Sequence, residues 1–202
     1  MPTKLRLNYL AESHACRLFM NNTLLKVIVL LALATLSAGW HQVDKTKSNP
    51  SIPLVIGQKY GGGIIFFIDS TGQHGLIAAP GDQSTASKWG CGSIKMEGTS
   101  TRIGTGKENT RIIVKACKDA NIPARICDDL VLNGYSDWFL PSKDELSLLY
   151  QHRKLIGGFA GSPYWSSSPF NPFYAWLQDF RNGYQVYTDL YYAYHVRAIR
   201  SF

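Results

Sequence analysis

The sequence predicts an α+β domain: short antiparallel strands at both ends of the mature chain, about three short helices between them, and long ordered loops. Two observations carry this. Apolar segments of strand length and alternation lie near residues 63–79 and 174–202, while segments with helical spacing lie between them. The composition agrees, with 11 Tyr, 5 Trp and 9 Phe beside 18 Gly in 202 residues. That mixture suits a loop-rich domain displaying aromatic side chains better than a helical bundle. At 45% apolar and 17% charged the chain is globular, which excludes disorder and collagen-like repetition, and it is long enough to build a core without covalent staples.

The elements follow in order. Residues 1–39 read as an N-terminal extension and signal peptide: from Thr23 the run TLLKVIVLLALATLSAG is apolar except for Lys26 and ends in small residues at Ser37, Ala38 and Gly39. Its uninterrupted part, Val27 to Leu36, is half of the roughly 20 residues a spanning helix needs, so cleavage is expected and no stable membrane span after it. Met20 opens a complete signal by itself and is a candidate true start. Residues 40–56 are a polar linker, and residues 57–202 are the domain. The expected location is secreted, cell-surface or periplasmic.

Within the domain, GIIFFI at 63–68 and HGLIAA at 74–79 flank Asp69-Ser70-Thr71-Gly72 and read as two strands about a turn. The next 25 or so residues are rich in Gly, Ser and Thr and read as ordered loop. Residues 108–118 place Ile112, Ile113, Ala116 and Cys117 on one helical face, and residues 123–132 do the same with Ile126, Cys127, Leu130 and Val131. Ser142, with Glu145 three residues later, is a capping box opening a helix that turns Leu146, Leu149 and Tyr150 inward. Beyond Gly157-Gly158 come Tyr174 to Phe180, the hairpin signal Asn182-Gly183, the return Tyr184 to Leu190, and a last strand from Val196 to Phe202.

No catalytic constellation emerges. Gly104-Thr105-Gly106-Lys107 lacks the glycine at position 101 that a phosphate loop requires, and Thr101 stands there. The histidines at 14, 41, 74, 152 and 195 have no metal-ligand spacing. Asp128-Asp129 and Asp144-Glu145 read as solvated or capping carboxylates. No metal and no cofactor are expected. Cys91, Cys117 and Cys127 survive processing, an odd number that allows one bridge and a free thiol, or an intermolecular bond. Cys127 lies on an apolar face and reads as a small buried hydrophobe; Cys91 to Cys117 is the favoured disulfide.

Two features invite a ligand. Lys107, Arg111 and Lys115 recur every four residues opposite the apolar face, and residues 88–125 hold eight basic side chains against three acidic. This stripe is either a solvated helix face or a polyanion-binding site. The net charge of +7 falls to +4 once the +3 of residues 1–38 is subtracted, too mild for a general nucleic-acid surface. The second feature is Phe170 to His195, which holds Tyr174, Trp176, Arg181, Tyr184, Tyr187, Asp189, Tyr191, Tyr192 and Tyr194 but no Lys, Glu or Met. Large amphipathic side chains with few rotatable bonds, interleaved with small polar ones, have the make-up of a binding face. Strand alternation buries only half of such a run, which leaves several tyrosines at the surface.

Several longer stretches then resemble, in order, the Lcl C-terminal domain family, named for a bacterial collagen-like adhesin. They are Tyr60 to Asp69 (YGGGIIFFID), Gly75 to Ala79, Ile103 to Thr110 (IGTGKENT), Asn133 to Leu146 (NGYSDWFLPSKDEL), Tyr164 to Ser168 and Val196 to Phe202. The resemblance implies a C-type lectin-like fold and an exported adhesin domain. Its expected partner is an extracellular polysaccharide, sulphated glycosaminoglycan in the founding protein, or a surface protein, and its assembly a homotrimer. The calcium-binding triplet of sugar-binding C-type lectins is missing, so no calcium dependence is expected.

The alternatives are a periplasmic structural protein without a ligand and a formylglycine-generating type of enzyme. The enzyme would need a cysteine pair near the C-terminal end, which this chain lacks. Retroelement diversification is a further expectation for the tyrosine-rich stretch. Randomised adenines in an AAC codon give NNC codons, which cannot encode Lys, Glu, Met, Gln or Trp. Only Trp176, Gln178 and Gln185 break that rule between Phe170 and His195, and they would be fixed scaffold positions.

Overall fold

The computed structural model of the chain describes residues 53–202. The expected signal peptide, the start at Met20 and residues 40–52 of the expected linker lie outside them.

Two sheets carry the fold. β1 (Lys59–Tyr60), β2 (Gly63–Ile68), β3 (Gly75–Ala78) and β9 (Ile199–Ser201) form an antiparallel sheet in the order β1-β2-β3-β9. The last strand pairs with the early β3, so the two ends of the domain do meet. The second sheet has the order β4-β8-β5-β6-β7, with β4 at Ser84–Lys88, β5 at Pro163–Asn171, β6 at Tyr174–Asp179, β7 at Gln185–Asp189 and β8 at Ala193–Val196. β5 and β8 run parallel at Tyr164↔His195 and the other pairs are antiparallel. The helices lie between the two groups of strands in sequence: α1 (Gly106–Ala116), α2 (Pro123–Asp128), α3 (Lys143–Gln151) and the single turn α4 (Arg153–Ile156). The fold is α+β, as the sequence predicts.

Strand alternation creates two cores. Ile65, Ile77, Trp165 and Leu177 join Trp89, Ile113, Cys117, Cys127 and Trp138 in one, while their chain neighbours Phe66, Leu76 and Tyr164 join Leu146, Leu149 and Phe180 in the other. Each buried indole finds an acceptor: Trp165 Nε1 donates to Ser87 O and Trp89 Nε1 to Ser166 O, both at 2.8 Å. These bonds tie the Ser87–Trp89 segment to β5 and leave neither indole N–H unpaired.

The structure corrects four sequence readings. The stretch after residue 79 is not all loop, because β4 forms there against β8. α1 starts two residues earlier than expected and buries Asn109 and Thr110, whereas Ala116 is exposed. The polar pair is buried at little cost because Asn109 exchanges hydrogen bonds with the Ser100 backbone at 2.9 and 2.6 Å, and Thr110 Oγ1 accepts from Leu140 N at 3.0 Å. α2 stops at Asp128, since the chain turns into the Leu132↔Tyr135 bridge, and Val131 is left 73% exposed. The last strand is broken at Arg197-Ala198, where the chain leaves one sheet for the other.

The expected capping box is present. Ser142 Oγ accepts from Glu145 N at 3.3 Å and Glu145 Oε2 from Ser142 N at 2.7 Å, and Leu146 and Leu149 are buried. The same buried carboxylate accepts from Gly104 N at 2.8 Å. A Cβ on Gly106 would stand 2.2 Å from Glu145 Oε2, which is why glycine is needed there. The Gly104–Lys107 turn is therefore a latch on Glu145.

Candidate functional site

β6 sends Ala175 and Leu177 into the core and Tyr174 and Trp176 to the other side. β7 pairs with it in unbroken register, Trp176↔Tyr187 and Tyr174↔Asp189, so Tyr187 stands beside Trp176 on one face. From β5 Phe170 adds a third ring: it stacks on Tyr187 at 4.0 Å with planes 5° apart and meets Trp176 edge-on at 5.7 Å. Trp176 and Tyr174 in turn meet Tyr187 edge-on, at 5.4 and 5.9 Å. Phe170 and Tyr187 are nearly half exposed, at 47% and 48%. The result is a continuous aromatic face.

Neighbouring loops hold it rigid. Asn171 Oδ1 accepts from Phe173 N at 2.8 Å and Tyr174 N at 3.0 Å, fixing the β5–β6 turn. Lys143, the first residue of α3, places its Nζ 4.0 Å from the centroid of Trp176. Its backbone is anchored at both ends, N–H to Ser168 Oγ at 3.1 Å and carbonyl from Gln185 Nε2 at 2.8 Å. An ammonium above an indole is attracted by the ring quadrupole and gives the face a positive rim.

The other tyrosine-region residues named from sequence lie elsewhere. Arg181 and Tyr184 are at the β6–β7 turn, where the Arg181 guanidinium pairs with Asp179 at 2.6 Å and holds that carboxyl below its usual range. Tyr191 and Tyr192 are in the turn after β7, with Tyr191 against the loop of Cys91, and Tyr194 packs edge-on to Trp165 at 5.0 Å. Tyr174, Trp176 and Tyr187 thus share one surface, and Asp189 pairs with Tyr174 across the strands.

Lys107, Arg111 and Lys115 are exposed on α1. Arg111 is held by Glu108 of the same helix, Nε to Oε2 at 2.7 Å. The 580 Å³ groove that Lys107 and Arg111 line also presents Glu108, Asp128 and Asp137. Asp137 carries a bidentate pair with Arg200, at 2.7 and 2.8 Å, which holds its carboxyl below the usual range.

Cys91 and Cys117 form the favoured disulfide, with Cα atoms 5.7 Å apart. Cys127 is a buried free thiol whose pKa is pushed up by desolvation, which makes it a poor nucleophile. Asp119 lies beside the two bridged sulfurs, but their bond spends them as metal ligands.

Sequence reasoning missed two groups. Phe170 and Lys143 complete the aromatic face; register shifts between Trp165 and Asn171 break the alternation of β5 that would have flagged Phe170, and no sequence signal places Lys143 over Trp176. The other group is a polar clamp around Asp82, which accepts from Tyr164 Oη at 2.8 Å, meets His195 Nδ1 at 2.8 Å and pairs with the fully buried Arg197 at 2.6 Å. Among the described residues no serine, threonine or cysteine side chain is hydrogen-bonded to His195. No described helix is long and apolar enough to cross a membrane.

Compared with known families, residues 81–200 match the model of the Lcl C-terminal domain. A search of curated proteins gave no match.

Proposed function

Taking as premise that this chain belongs to the Lcl C-terminal domain family, we propose that it is an exported, non-enzymatic binding domain of the adhesin type, whose ligand is extracellular polysaccharide held on the face of Phe170, Tyr174, Trp176 and Tyr187. One observation carries the reading: these rings form a single packed surface, open to solvent, centred on β6, whose opposite side is core. Pyranose rings offer a face of C–H bonds that stacks on aromatic rings, and a preorganised platform loses little entropy on binding. Lys143 at the rim suits a chain bearing acidic groups. A surface protein is the alternative ligand.

Lys107, Arg111 and Lys115 are a secondary polyanion contact, weaker because carboxylates share their groove. Homotrimeric assembly goes with the family resemblance. Diversification of the tyrosine-rich stretch draws support from burial: none of Tyr174, Arg181, Tyr184, Tyr187, Asp189, Tyr191, Tyr192 and Tyr194 is buried, while Gln178, one of the three residues that NNC codons exclude, is. The gene tests it, since the mechanism requires pyrimidine-ending codons at those eight positions and an Asn-rich template repeat beside a reverse transcriptase gene.

The binding experiment is a glycan array probed with wild type and with Trp176→Ala/Tyr187→Ala. Glycans retained by the wild type and lost by the variant support the reading. Equal retention by both would remove the aromatic face from it.

A further inference from the structure

The loop between α4 and β5 holds a second site. Gly157 and Gly158 both have positive φ, +74° and +68°, and both of their carbonyls accept from the buried guanidinium of Arg197, which Asp82 fixes from the far side. In a trans peptide the C=O and the following N–H point in opposite directions. No cis bond occurs among the described residues, so the N–H groups of Gly158 and Phe159 point together away from Arg197. Neither donates a hydrogen bond among the described residues. Successive N–H groups turned to one side form a concavity that binds anions.

The loop borders a 270 Å³ pocket lined by Arg153, Lys154, Phe180 and residues 157–161. Arg153 is oriented by Tyr150, stacking on its ring at 3.8 Å and donating from Nη1 to its carbonyl at 2.8 Å, which leaves Nε and Nη2 for a ligand. Lys154 makes no ion pair among the described residues. The lining includes no carboxylate, in contrast to the groove beside α1 with its three.

We propose that this pocket is an oxyanion-binding site, in which Arg153, Lys154 and the N–H groups of Gly158 and Phe159 hold a sulfate ester or carboxylate of a polysaccharide. Ten residues of largely helical chain separate Lys143 at the aromatic face from Arg153, a span of about 15 Å at 1.5 Å per residue. One extended acidic chain can therefore reach both. The polymer rests on the functional reading above; the anion pocket stands without it.

The test is NMR titration of the purified full-length chain with sodium sulfate, at constant ionic strength against chloride. Saturable shifts of the Gly158 and Phe159 amides are expected, and Arg153→Gln/Lys154→Gln should weaken the apparent affinity at least tenfold, as loss of charge-assisted bonds does. An unchanged melting temperature shows that the variant folds. Sulphated chondroitin and unsulphated hyaluronan then separate the two sources: binding of only the first names the ester, binding of the second the carboxylate. Amides that respond no more to sulfate than to chloride, or a variant that keeps the wild-type affinity for sulfate, would overturn the site. Sulfate binding at these amides without any glycan binding at the aromatic face keeps the pocket and discards the polysaccharide.

Discussion

The aromatic face and the outer side of α1 both look like binding surfaces in the sequence, yet the fold treats them differently. On β6 and β7 the period of two and an unbroken register bring Trp176, Tyr187 and Tyr174 together, and what reaches them from elsewhere, Phe170 and Lys143, extends the face with another ring and a cation. On α1 the period of 3.6 does align Lys107 and Arg111, but the neighbouring residues come from distant segments, and Asp128 and Asp137 arrive beside them. Local pattern predicts which side chains share a surface. It does not predict what the rest of the chain places opposite them.

The largest expected effect that sharpens this contrast is on stability. If α1 serves mainly to latch the domain, Gly106→Ala should cost about 3 kcal/mol or more, as overpacking against a buried polar group does. A urea titration measures it; a midpoint equal to wild type would mean that the Glu145 latch is slack. Next, Trp176→Ala/Tyr187→Ala should weaken glycan binding by about 10- to 100-fold, on the scale of about 1–3 kcal/mol per stacked ring, with little change in melting temperature because both rings are on the open side. Smaller still, Lys107→Ala/Arg111→Ala/Lys115→Ala should change the same affinity by less than about threefold at physiological salt, since exposed charges are screened and Arg111 is already paired. Loss of binding comparable to the aromatic variant would reverse the ranking of the two surfaces.

The smallest effect is in pH. Asp137 has its pKa lowered by Arg200, so the pair's contribution is present above the unfolded value of about 4 and is lost as pH falls through the folded one. Glu145 has its pKa raised, burial being the first cause, so its contribution is present at low pH and is lost as pH rises through the folded value. Urea midpoints of Asp137→Asn should therefore fall below wild type at pH 7, with a smaller gap at pH 3. A constant gap at both pH values would disprove the assignment.

Much of this fold is legible in local sequence. The capping box at Ser142, the Asn182-Gly183 turn and the pairing of the two ends follow from short-range chemistry and alternation. β4 was not legible, because STASK has little apolar alternation and becomes a strand by pairing with β8 and by Trp165 reaching the Ser87 carbonyl. The buried face of α1 is legible only in part for a related reason: Ile113 and Cys117 are buried as expected, but Asn109 and Thr110 join them because Ser100 and Leu140 arrive to bond them. At the candidate site, strand periodicity exposes Tyr174, Trp176 and Tyr187, whereas Lys143 and the nest of Gly158 and Phe159 depend on contacts between residues far apart in sequence.

In the proposed function, ligand is held on the aromatic face rather than on α1. Amide chemical-shift mapping of the chain with a glycan it retains tests this most directly. Shifts should concentrate in residues 170–189 and at Lys143, with those of the Gly106–Ala116 amides smaller. Shifts centred on α1, with Trp176 and Tyr187 silent, would contradict it.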